Sequence, residues 1–453
     1  MSPRPSAGSG DGTYLGRTRG PDRDGARDVE ARVARDHDRL SVAMIGTRGV
    51  PARYGGFETC VEEVGARLVQ RGLDVMVYCR AVPGAADADP ADRIGATHRG
   101  MRLVQLPAMR TRALETLSHT ALSVVHQVVR TADVALVFNA ANAPLLPVLR
   151  ARRIPVITHV DGLEWRRAKW GPTGRRYYRA AESLAVRWSD ALIADAVGIR
   201  DYYDQEFGAP TELISYGAPI LTDTPSDGLA GLDLEPGRYH LVVARFEPEN
   251  HVEEIVEGYK RSGSTLPLVV VGSAPYADEY TRRVQQAADS RVRLLGGIWD
   301  QGLLDQLYAH SLTYLHGHSV GGTNPSLLRA MGVGAPCLAY DVTFNREVLR
   351  GTGRYFRTPD DVARLLEAAE DDPAGERARG LAARERAADY DWDDVAASYE
   401  ELCRRVAHQA RAPRPNGRRL RSPEVSPHDQ ALAEQAGADQ SFPQPGPAPV
   451  REA

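Results

Sequence analysis

The sequence predicts an α/β protein made of doubly wound domains in series. Short apolar runs alternate with stretches of helical periodicity along most of the chain, which is typical of parallel sheets covered by helices on both faces. The alternation is interrupted at residues 218–237, where Pro, Asp, Gly and Thr predominate. A chain of 453 residues is long enough for two or three domains.

The first strand is predicted at Leu40–Ile45, an apolar run that follows a polar segment. A glycine-rich turn comes next, and apolar residues then recur at helical spacing as far as Gly72. With a second strand at 74–80, this is the opening β-α-β unit of a doubly wound domain. Further strands are predicted at 101–107, 133–140, 155–160, 190–195 and 211–216. The helices between them are predicted near 112–131, 144–152, 174–188 and 197–207.

The predicted helix at 112–131 carries a stripe of apolar side chains. The stripe consists of Leu114, Leu117, Ala121, Val124, Val125 and Val128. A stripe with this spacing is typical of an amphipathic helix that packs on a core.

A second α/β series begins after residues 218–237, which we interpret as an interdomain linker. Its strands are predicted at 239–244, 266–271, 292–295, 312–316 and 336–340. Its helices are predicted at 251–262, 276–289, 300–309, 324–333, 359–371, 375–388 and 392–408. Two Rossmann-like domains of similar size are therefore expected, with a ligand cleft between the carboxyl ends of their sheets.

The two ends of the chain lack any apolar period and are predicted to be disordered. The predicted organisation is a disordered tail at 1–39, an N-terminal domain at 40–218, a C-terminal domain at 219–391, a last helix at 392–408 and a disordered tail at 409–453.

Composition and charge indicate a soluble protein. The formal net charge is −4, so the sequence lacks the basic excess expected of a nucleic-acid-binding protein. No apolar run is long enough to span a bilayer, and the N-terminus lacks the apolar core of a signal peptide. The four cysteines form no Cys-x-x-Cys pair, so reduced thiols in the cytoplasm are expected.

One stretch, 317–331, has the pattern of a phosphate site. It follows an apolar strand, contains Gly321 and Gly322, and leads into a helix that Asn324 can cap. Strand, glycine turn and helix start, in that order, place backbone N–H groups and a helix dipole at the carboxyl end of a parallel strand. The same pattern also occurs in ordinary strand-to-helix turns, and that alternative remains open from this pattern alone.

Four separated motifs resemble the rhamnosyltransferase-like (DUF1972) branch of family 4 glycosyltransferases. They stand in the order expected for that branch, and the resemblance covers roughly residues 40–405. The motifs are Gly46–Pro51 with Tyr54–Thr59, Val160–Trp170, Ala244–His251, and His318–Met331.

The resemblance implies a GT-B fold with the acceptor on the N-terminal domain and a nucleotide-sugar on the C-terminal domain. It also implies that the last helix crosses back to the N-terminal domain. No metal or other cofactor is expected, since GT-B enzymes generally use none and no Asp-x-Asp stands at a strand end here. The implied reaction moves L-rhamnose from dTDP-L-rhamnose with retention of configuration onto a glycan or lipid-linked acceptor.

The resemblance assigns the donor diphosphate to Arg245, whose planar guanidinium suits a diphosphate and would stabilise the leaving nucleotide. Many family 4 enzymes carry a Lys five positions later, where this chain has Asn250. Glu347 is assigned either to the nucleotide or to a helix cap. The predicted donor-binding residues are Gly46, Arg48, Gly49, Gly55, Gly56, Arg245, Gly321, Gly322, Thr323, Asn324, Arg329 and Glu347.

Asp161 stands where many family 4 enzymes place a catalytic histidine, and His159 is a second candidate for the group that takes the acceptor proton. A loop hydrogen bond or cap is the competing interpretation for both. Glu164, Trp165 and Arg166 are predicted to form an acceptor wall, for which a solvated helix face is the alternative.

Arg329 departs from the family pattern, which has a Glu there that accepts hydrogen bonds from ribose hydroxyls. An Arg side chain only donates, and losing a charged hydrogen bond costs roughly 1.5–3 kcal/mol. His316 and His318 stand one residue apart without a third metal ligand, so a structural or polar-lining role is favoured over a metal site.

Three functions therefore remain open at this point. The leading prediction is a glycosyltransferase with a nucleotide-sugar donor and a possible peripheral contact with the inner membrane face. The second is a degenerate paralogue that binds a nucleotide-sugar or glycan and partners another transferase. The third is another user of the same fold, such as a nucleotide-sugar epimerase or an NAD enzyme, although no clean Gly-x-Gly-x-x-Gly follows either first strand.

Overall fold

The computed structural model describes most of the chain between Arg39 and Arg411. The described residues are 39–52, 55–81, 97–109, 114–160, 162–167, 170–272 and 278–411. Both predicted tails, apart from residues 39 and 409–411, lie outside them. The two sheets belong to one compact unit that begins at Ser41.

The first sheet has eight strands in the order β3-β4-β2-β1-β5-β6-β7-β8, and all neighbours are parallel except β3 and β4. Buried apolar side chains fill its central strands, as expected for a sheet covered on both faces. The strands are β1 Ser41–Ile45, β2 Asp74–Arg80, β3 Thr97–His98, β4 Met101–Leu106, β5 Val134–Phe138, β6 Val156–His159, β7 Ala191–Ala194 and β8 Glu212–Leu213.

We call residues 41–213 the first lobe. Five helices among its described residues accompany the sheet. Two 3-10 turns, Ala140–Leu145 and Glu164–Arg166, follow the carboxyl ends of β5 and β6. The helices are α1 Gly56–Gln70, α2 Glu115–Val129, α3 Leu146–Ala151, α4 Pro172–Trp188 and α5 Val197–Phe207.

The second sheet has six strands in the order β11-β10-β9-β12-β13-β14, and every pair is parallel. It has its own cluster of buried apolar residues. The strands are β9 His240–Val243, β10 Leu268–Val271, β11 Val292–Gly296, β12 Thr313–His316, β13 Cys337–Tyr340 and β14 Arg354–Phe356.

We call residues 240–387 the second lobe. A short helix, α6 Asp227–Ala230, precedes it within the segment predicted as a linker. The helices of the second lobe are α7 Val252–Arg261, α8 Asp278–Ala287, α9 Gln301–Ala309, α10 Pro325–Gly332, α11 Thr343–Leu349, α12 Pro359–Asp371 and α13 Pro373–Ala387.

The last helix, α14 Trp392–Arg411, packs against α1 of the first lobe. Arg67 on α1 donates to Asp393 over 2.6 Å, and Trp392 lies against Gly217. No helix among the described residues is both long enough and apolar enough to cross a membrane.

The predicted alternation of strands and helices is confirmed, and the fold class is α/β with parallel sheets. Two strands were missed, β3 and β14. Both are short edge strands of two and three residues, too short to produce a periodic apolar pattern.

The apolar stripe predicted on helix 112–131 does not face the sheet. Of its members only Val124 is buried, whereas Leu114 and Val125 are exposed. The side of α2 that packs on the sheet instead carries His119, Thr120, Ser123 and Gln127. Helical periodicity identified the helix correctly, but it did not identify which side is buried.

Candidate active site

A large cavity lies between the two lobes, beside the points where strand order reverses in each sheet. These points are β1/β5 in the first lobe and β9/β12 in the second. In doubly wound sheets such points leave a crevice at the carboxyl ends of the strands, where ligands bind. The cavity measures about 1020 Å³, large enough for a nucleotide-sized ligand.

The second lobe contributes a glycine turn that is open to an anion. Gly321 has a φ of +133°, and a side chain built there would meet no atom within 4 Å. The backbone N–H groups of Gly321 and Gly322 donate to no acceptor within the described part of the chain, whereas the Thr323 N–H is directed at the buried Asp195 carboxylate. Free amides at a helix start are the usual groups that hold a phosphate.

The helix that follows this turn, α10, strengthens the same site. Asn324 caps it by accepting from the Ser326 N–H at 2.9 Å, and Pro325 occupies its first turn, as predicted. No acidic residue lies in that first turn, so the positive end of the helix dipole is not neutralised locally.

Arg245 follows β9 and lines the same cavity with its side chain 40% exposed. The loop beyond it is fixed by Asn250, whose side-chain amide donates to the Arg245 carbonyl at 2.8 Å. The described ionic partner of Arg245 is Glu247, whose carboxylate lies 3.7 Å from the guanidinium. The structure therefore brings Arg245, Gly321, Gly322, Thr323 and Asn324 to one wall of the cleft, as the sequence predicted.

The glycine turn of the first lobe is different, because three of its amides already have side-chain acceptors. The N–H of Arg48 donates to Glu58 at 3.0 Å, and that of Ala52 donates to Glu62 at 2.5 Å. The N–H of Gly49 donates to the Thr47 hydroxyl at 3.2 Å. The prediction that Arg48 and Gly49 bind the donor is therefore corrected for their backbone amides, because a carboxylate and a hydroxyl already satisfy them.

Four of the five predicted residues in this first turn still line the cavity: Gly46, Arg48, Gly55 and Gly56. Gly49 does not. A side chain built on Gly49 would overlap Cys79 inside the lobe, so this glycine serves internal packing. The first turn thus contributes surface to the cleft without contributing the amides of Arg48, Gly49 and Ala52.

Asp195, which sequence reasoning missed, lies where the two lobes meet. Its carbonyl accepts from the Thr323 hydroxyl at 2.6 Å, and a side chain added to Gly322 would overlap its carboxylate. The Oδ1 atom is buried without a partner among the described residues. Burial, with the nearby charge of Glu347, raises the pKa of Asp195 to about 7.

Glu347 joins the lobes but does not line the cavity. Both of its carboxylate oxygens accept from the Val197 N–H at 3.1 Å, so it caps α5 of the first lobe. Burial raises its pKa to about 7. The assignment of Glu347 to donor binding is corrected, and the capping alternative is confirmed.

His159 is buried behind the cleft and does not line it. Its Nδ1 shares a 2.7 Å hydrogen bond with the hydroxyl of Tyr399 on α14, and its ring packs edge-on against Phe57. Burial lowers its pKa to about 3, so the imidazole is neutral at physiological pH. Geometry therefore argues against His159 as the catalytic base, and Asp161 lies outside the described residues.

The predicted acceptor wall is only partly at the cleft. Glu164 lines the cavity, but it pairs with Arg167. Arg167 reaches across to Glu249 of the second lobe at 3.1 Å, so these residues form an ionic bridge between the lobes. The assignment of Trp165 and Arg166 to the wall is corrected, because neither lines the cavity.

The two histidines near β12 stack on each other with ring centroids 4.4 Å apart. His316 is buried and bonded to the Tyr314 hydroxyl, while His318 lines the cavity and its buried Nδ1 has no described partner. Burial lowers the pKa of His318 well below its ordinary value. No cluster of metal-ligating side chains occurs within the described ranges.

Arg329 lines the cavity one turn into α10 and pairs with Asp305 of α9. This end of the cleft has three apolar lining residues, Ile298, Leu304 and the 62% exposed Trp299, beside the polar Gln301 and Arg329. An apolar floor with an aromatic ring suits a nucleobase better than it suits a diphosphate or a sugar.

Comparison with known proteins places these features in a family context. The model of DUF1972, a domain of unknown function, matches residues 39–219, and the model of glycosyl transferases group 1 matches residues 233–386. Arg245, the open glycine turn and Arg329 all lie within the segment that matches glycosyl transferases group 1, so the resemblance is confirmed for both halves of the chain, and rhamnosyl specificity stays a prediction.

Two curated relatives are similar over shorter segments. O-antigen chain mannosyltransferase B of Escherichia coli is 26% identical over 168 residues, which is 34% of this chain and 43% of the relative. The second relative is the GtfA subunit of the UDP-N-acetylglucosamine–peptide N-acetylglucosaminyltransferase of Streptococcus gordonii. It is 27% identical over 121 residues, which is 26% of this chain and 23% of the relative. The chain thus spans less than half the length of either relative.

Solved structures of other proteins superimpose on most of the described fold. Sucrose-phosphate synthase of Thermosynechococcus elongatus superimposes with a TM-score of 0.69 at 20% identity, over 82% of this chain and all of that one. HepE of Anabaena, solved in complex with UDP, has a TM-score of 0.63 at 16% identity, over 81% of this chain and all of that one. The chain has the GT-B fold.

Proposed function

We propose that the chain is a glycosyltransferase that binds a nucleotide-sugar against the second-lobe wall of the cleft. The observation that carries this proposal is the turn at Gly321–Thr323, where the amides of Gly321 and Gly322 have no acceptor among the described residues and lie at the start of α10 beside Arg245. A diphosphate is the part of a nucleotide-sugar that such a turn and a guanidinium recognise. The group 1 domain match and the mannosyltransferase relative support the same reaction class.

The orientation of the donor follows from the two ends of the cleft. The nucleoside lies toward Trp299, Leu304 and Arg329, where the lining is partly apolar. The sugar then lies toward the first lobe, near Asp195 and Glu164. This arrangement assigns the acceptor to the domain at 40–218 and the nucleotide-sugar to the domain at 219–391.

The reaction we propose retains anomeric configuration. The bond from the anomeric carbon to the acceptor oxygen forms on the same face as the bond to the diphosphate breaks, and the acceptor proton passes to the leaving diphosphate. Arg245 and the amides of Gly321 and Gly322 stabilise the negative charge that grows on that diphosphate. Positioning and electrostatics therefore supply most of the rate.

The donor we propose is dTDP-L-rhamnose, and the acceptor is a glycan or a lipid-linked glycan of cell-surface polysaccharide synthesis, reached in the cytoplasm. The Arg329–Asp305 pair gives a physical reason to favour a deoxynucleotide. Arg329 only donates hydrogen bonds, so it does not replace a carboxylate that accepts from a ribose diol. A 2′-deoxyribose has one hydroxyl fewer to satisfy.

Calorimetric titration with dTDP-L-rhamnose tests the proposal, with UDP-glucose and NAD as controls. The wild-type protein is expected to bind dTDP-L-rhamnose, and Arg329→Glu is expected to improve binding of UDP-glucose. No binding of dTDP-L-rhamnose by either protein would exclude the rhamnosyl donor and require a wider panel of nucleotide-sugars.

A second candidate function is a degenerate paralogue that binds a nucleotide-sugar and partners another transferase. Arg329 is the observation that favours it, because its charge is neutralised by Asp305 at the place where the family has a carboxylate. Binding of dTDP-L-rhamnose only by the Arg329→Glu variant would support this second candidate over the first.

A further inference from the structure

The helix α2 presents its apolar side away from the protein. Leu122, Val125 and Val129 are 41%, 61% and 80% exposed, and their spacing along the helix places them in one stripe. Leu114 extends the stripe toward the start of the helix. Ordinary surface helices show polar residues on the outer side, so this stripe requires a physical account.

The inner side of α2 is polar, which is the reverse of the usual arrangement in a surface helix. Gln127 donates to the Tyr78 hydroxyl at 2.8 Å and accepts from the Ala132 N–H at 3.0 Å. Ser123 donates to the His119 carbonyl at 2.8 Å. Polar groups that are buried need such partners, whereas exposed apolar groups gain only when something covers them.

The apolar surface continues beyond the helix itself. Ser118 stands between Leu114 and Leu122 in the stripe, and its hydroxyl accepts from the Met109 N–H. Met109, which is 52% exposed, therefore lies beside the stripe. Val148 on the neighbouring helix α3 is 41% exposed. Of the nine exposed large apolar residues among those described, six fall between residues 109 and 148.

The charges around this surface are positive. Arg130 at the end of α2, with Arg152 and Arg153 just beyond α3, is exposed, and none of the three forms an ion pair within the described ranges. The two acidic residues of this region, Glu115 and Asp133, are each paired with an arginine. An apolar stripe with a cationic rim is complementary to the surface of an anionic bilayer.

We infer that the apolar stripe of α2, with Met109 and Val148, is a docking surface for an anionic phospholipid bilayer. The surface starts at the cleft, because Thr116 in the first turn of α2 lines the cavity. A bilayer against α2 therefore meets the mouth of the cleft, so a lipid-linked acceptor reaches the cleft without leaving the membrane. This inference deepens the proposed function, since it gives the route by which the acceptor arrives.

Flotation with unilamellar vesicles tests the inference on the full-length protein. Vesicles of equimolar phosphatidylcholine and phosphatidylglycerol are expected to bind the wild type, and vesicles of phosphatidylcholine alone are expected to bind it more weakly. The double variant Val125→Glu, Val129→Glu is expected to lower the vesicle partition coefficient at least about tenfold. Both side chains are exposed, so the folded state is retained, which circular dichroism verifies.

Leu381→Glu is the matched control. Leu381 is a 45% exposed leucine on α13 of the second lobe, and its substitution is expected to leave vesicle binding unchanged. Equal binding by the double variant and the wild type, or no binding by the wild type, would overturn the inference. So would a wild-type dimer that the double variant converts to a monomer in sedimentation velocity, because a second copy would then cover the stripe.

Donor titration of the double variant separates this inference from the proposed function. Loss of vesicle binding with unchanged affinity for dTDP-L-rhamnose is the expected result. Donor binding without any vesicle binding by the wild type would overturn the docking surface alone, and absence of donor binding with intact vesicle binding would overturn the donor assignment alone.

Discussion

The two glycine-rich turns that face the cleft are built from similar residues in different surroundings. In the first lobe, Glu58 and Glu62 accept from the backbone amides of Arg48 and Ala52, so carboxylates occupy the turn. In the second lobe, the amides of Gly321 and Gly322 have no described protein acceptor, and the first turn of α10 contains no acid.

This difference shows that a glycine turn before a helix is only half of an anion site. The other half is the lack of a competing acceptor, because an internal carboxylate satisfies the same amides and opposes the same helix dipole. We therefore assign the diphosphate to the second-lobe turn. The first-lobe turn has a structural role at the edge of the cleft.

The largest effect is expected from Arg245→Ala. Removing the guanidinium leaves the leaving diphosphate without its cationic partner, so kcat/KM should fall about 10²–10³-fold. Steady-state kinetics with a saturating acceptor measures this change. Arg357→Ala is the matched control, because Arg357 is an exposed arginine paired with Asp341 outside the cleft. Similar losses in the two variants would contradict a specific role for Arg245.

A smaller effect is expected from Gly322→Ala, which places a methyl group against Asp195 and Ile199. The lobes would have to shift at their contact, and overpacking of this kind costs about 1–3 kcal/mol. Urea denaturation should show the loss of stability, and calorimetry should show weaker dTDP binding. Gly351→Ala serves as control, since a side chain there meets no atom within 4 Å. An unperturbed Gly322→Ala protein would contradict the close contact of the lobes.

Asp195→Asn should change how stability depends on pH. Burial raises the pKa of Asp195 to about 7, so between about pH 4 and pH 7 the folded protein keeps a proton that the unfolded chain has released. Unfolding free energy from this group then falls as pH rises, by at most about 1.4 kcal/mol per pH unit, and the fall ends above pH 7.

Urea denaturation at pH 5.5 and pH 7.5 measures this linkage in the wild type and in Asp195→Asn. The asparagine does not titrate, so the loss of stability between the two pH values should be smaller in the variant. The remaining loss is expected to come partly from Glu347, whose pKa is raised to about 7 by burial. An equal loss in both proteins would show that Asp195 does not titrate in this range.

The smallest effect on binding is expected from Glu58→Gln. The glutamine keeps an acceptor for the Arg48 amide but removes the charge, so stability should fall by about 1 kcal/mol. Because the first turn is not the diphosphate site, the Kd for dTDP should stay within about threefold of the wild type. A large gain in dTDP affinity would show that the first turn competes for the diphosphate.

Local patterns in the sequence predicted the features that depend on neighbouring residues. The strand periods, the Asn324 cap and the Pro325 helix start all follow from residues a few positions apart, and the structure has them. The open turn at Gly321–Thr323 was predicted for the same reason, because the strand, the glycines and the helix are contiguous.

Long-range partners explain most of what the sequence did not predict. The partner of His159 is Tyr399, 240 positions away, and the partner of Glu347 is the Val197 amide, 150 positions away. In the sequence, Asp195 is one of several polar residues that follow a strand. Only its contacts with Gly322 and Thr323 of the second lobe distinguish it. The buried side of α2 was also missed, because periodicity locates a stripe without revealing what covers it.

A crystal structure of the protein with bound dTDP tests the central claim most directly. We expect diphosphate oxygens within hydrogen-bonding distance of the Gly321 and Gly322 amides and of the Arg245 guanidinium, with the thymine ring toward Trp299. A diphosphate bound instead against the first-lobe turn at Gly46–Gly49 would contradict the account.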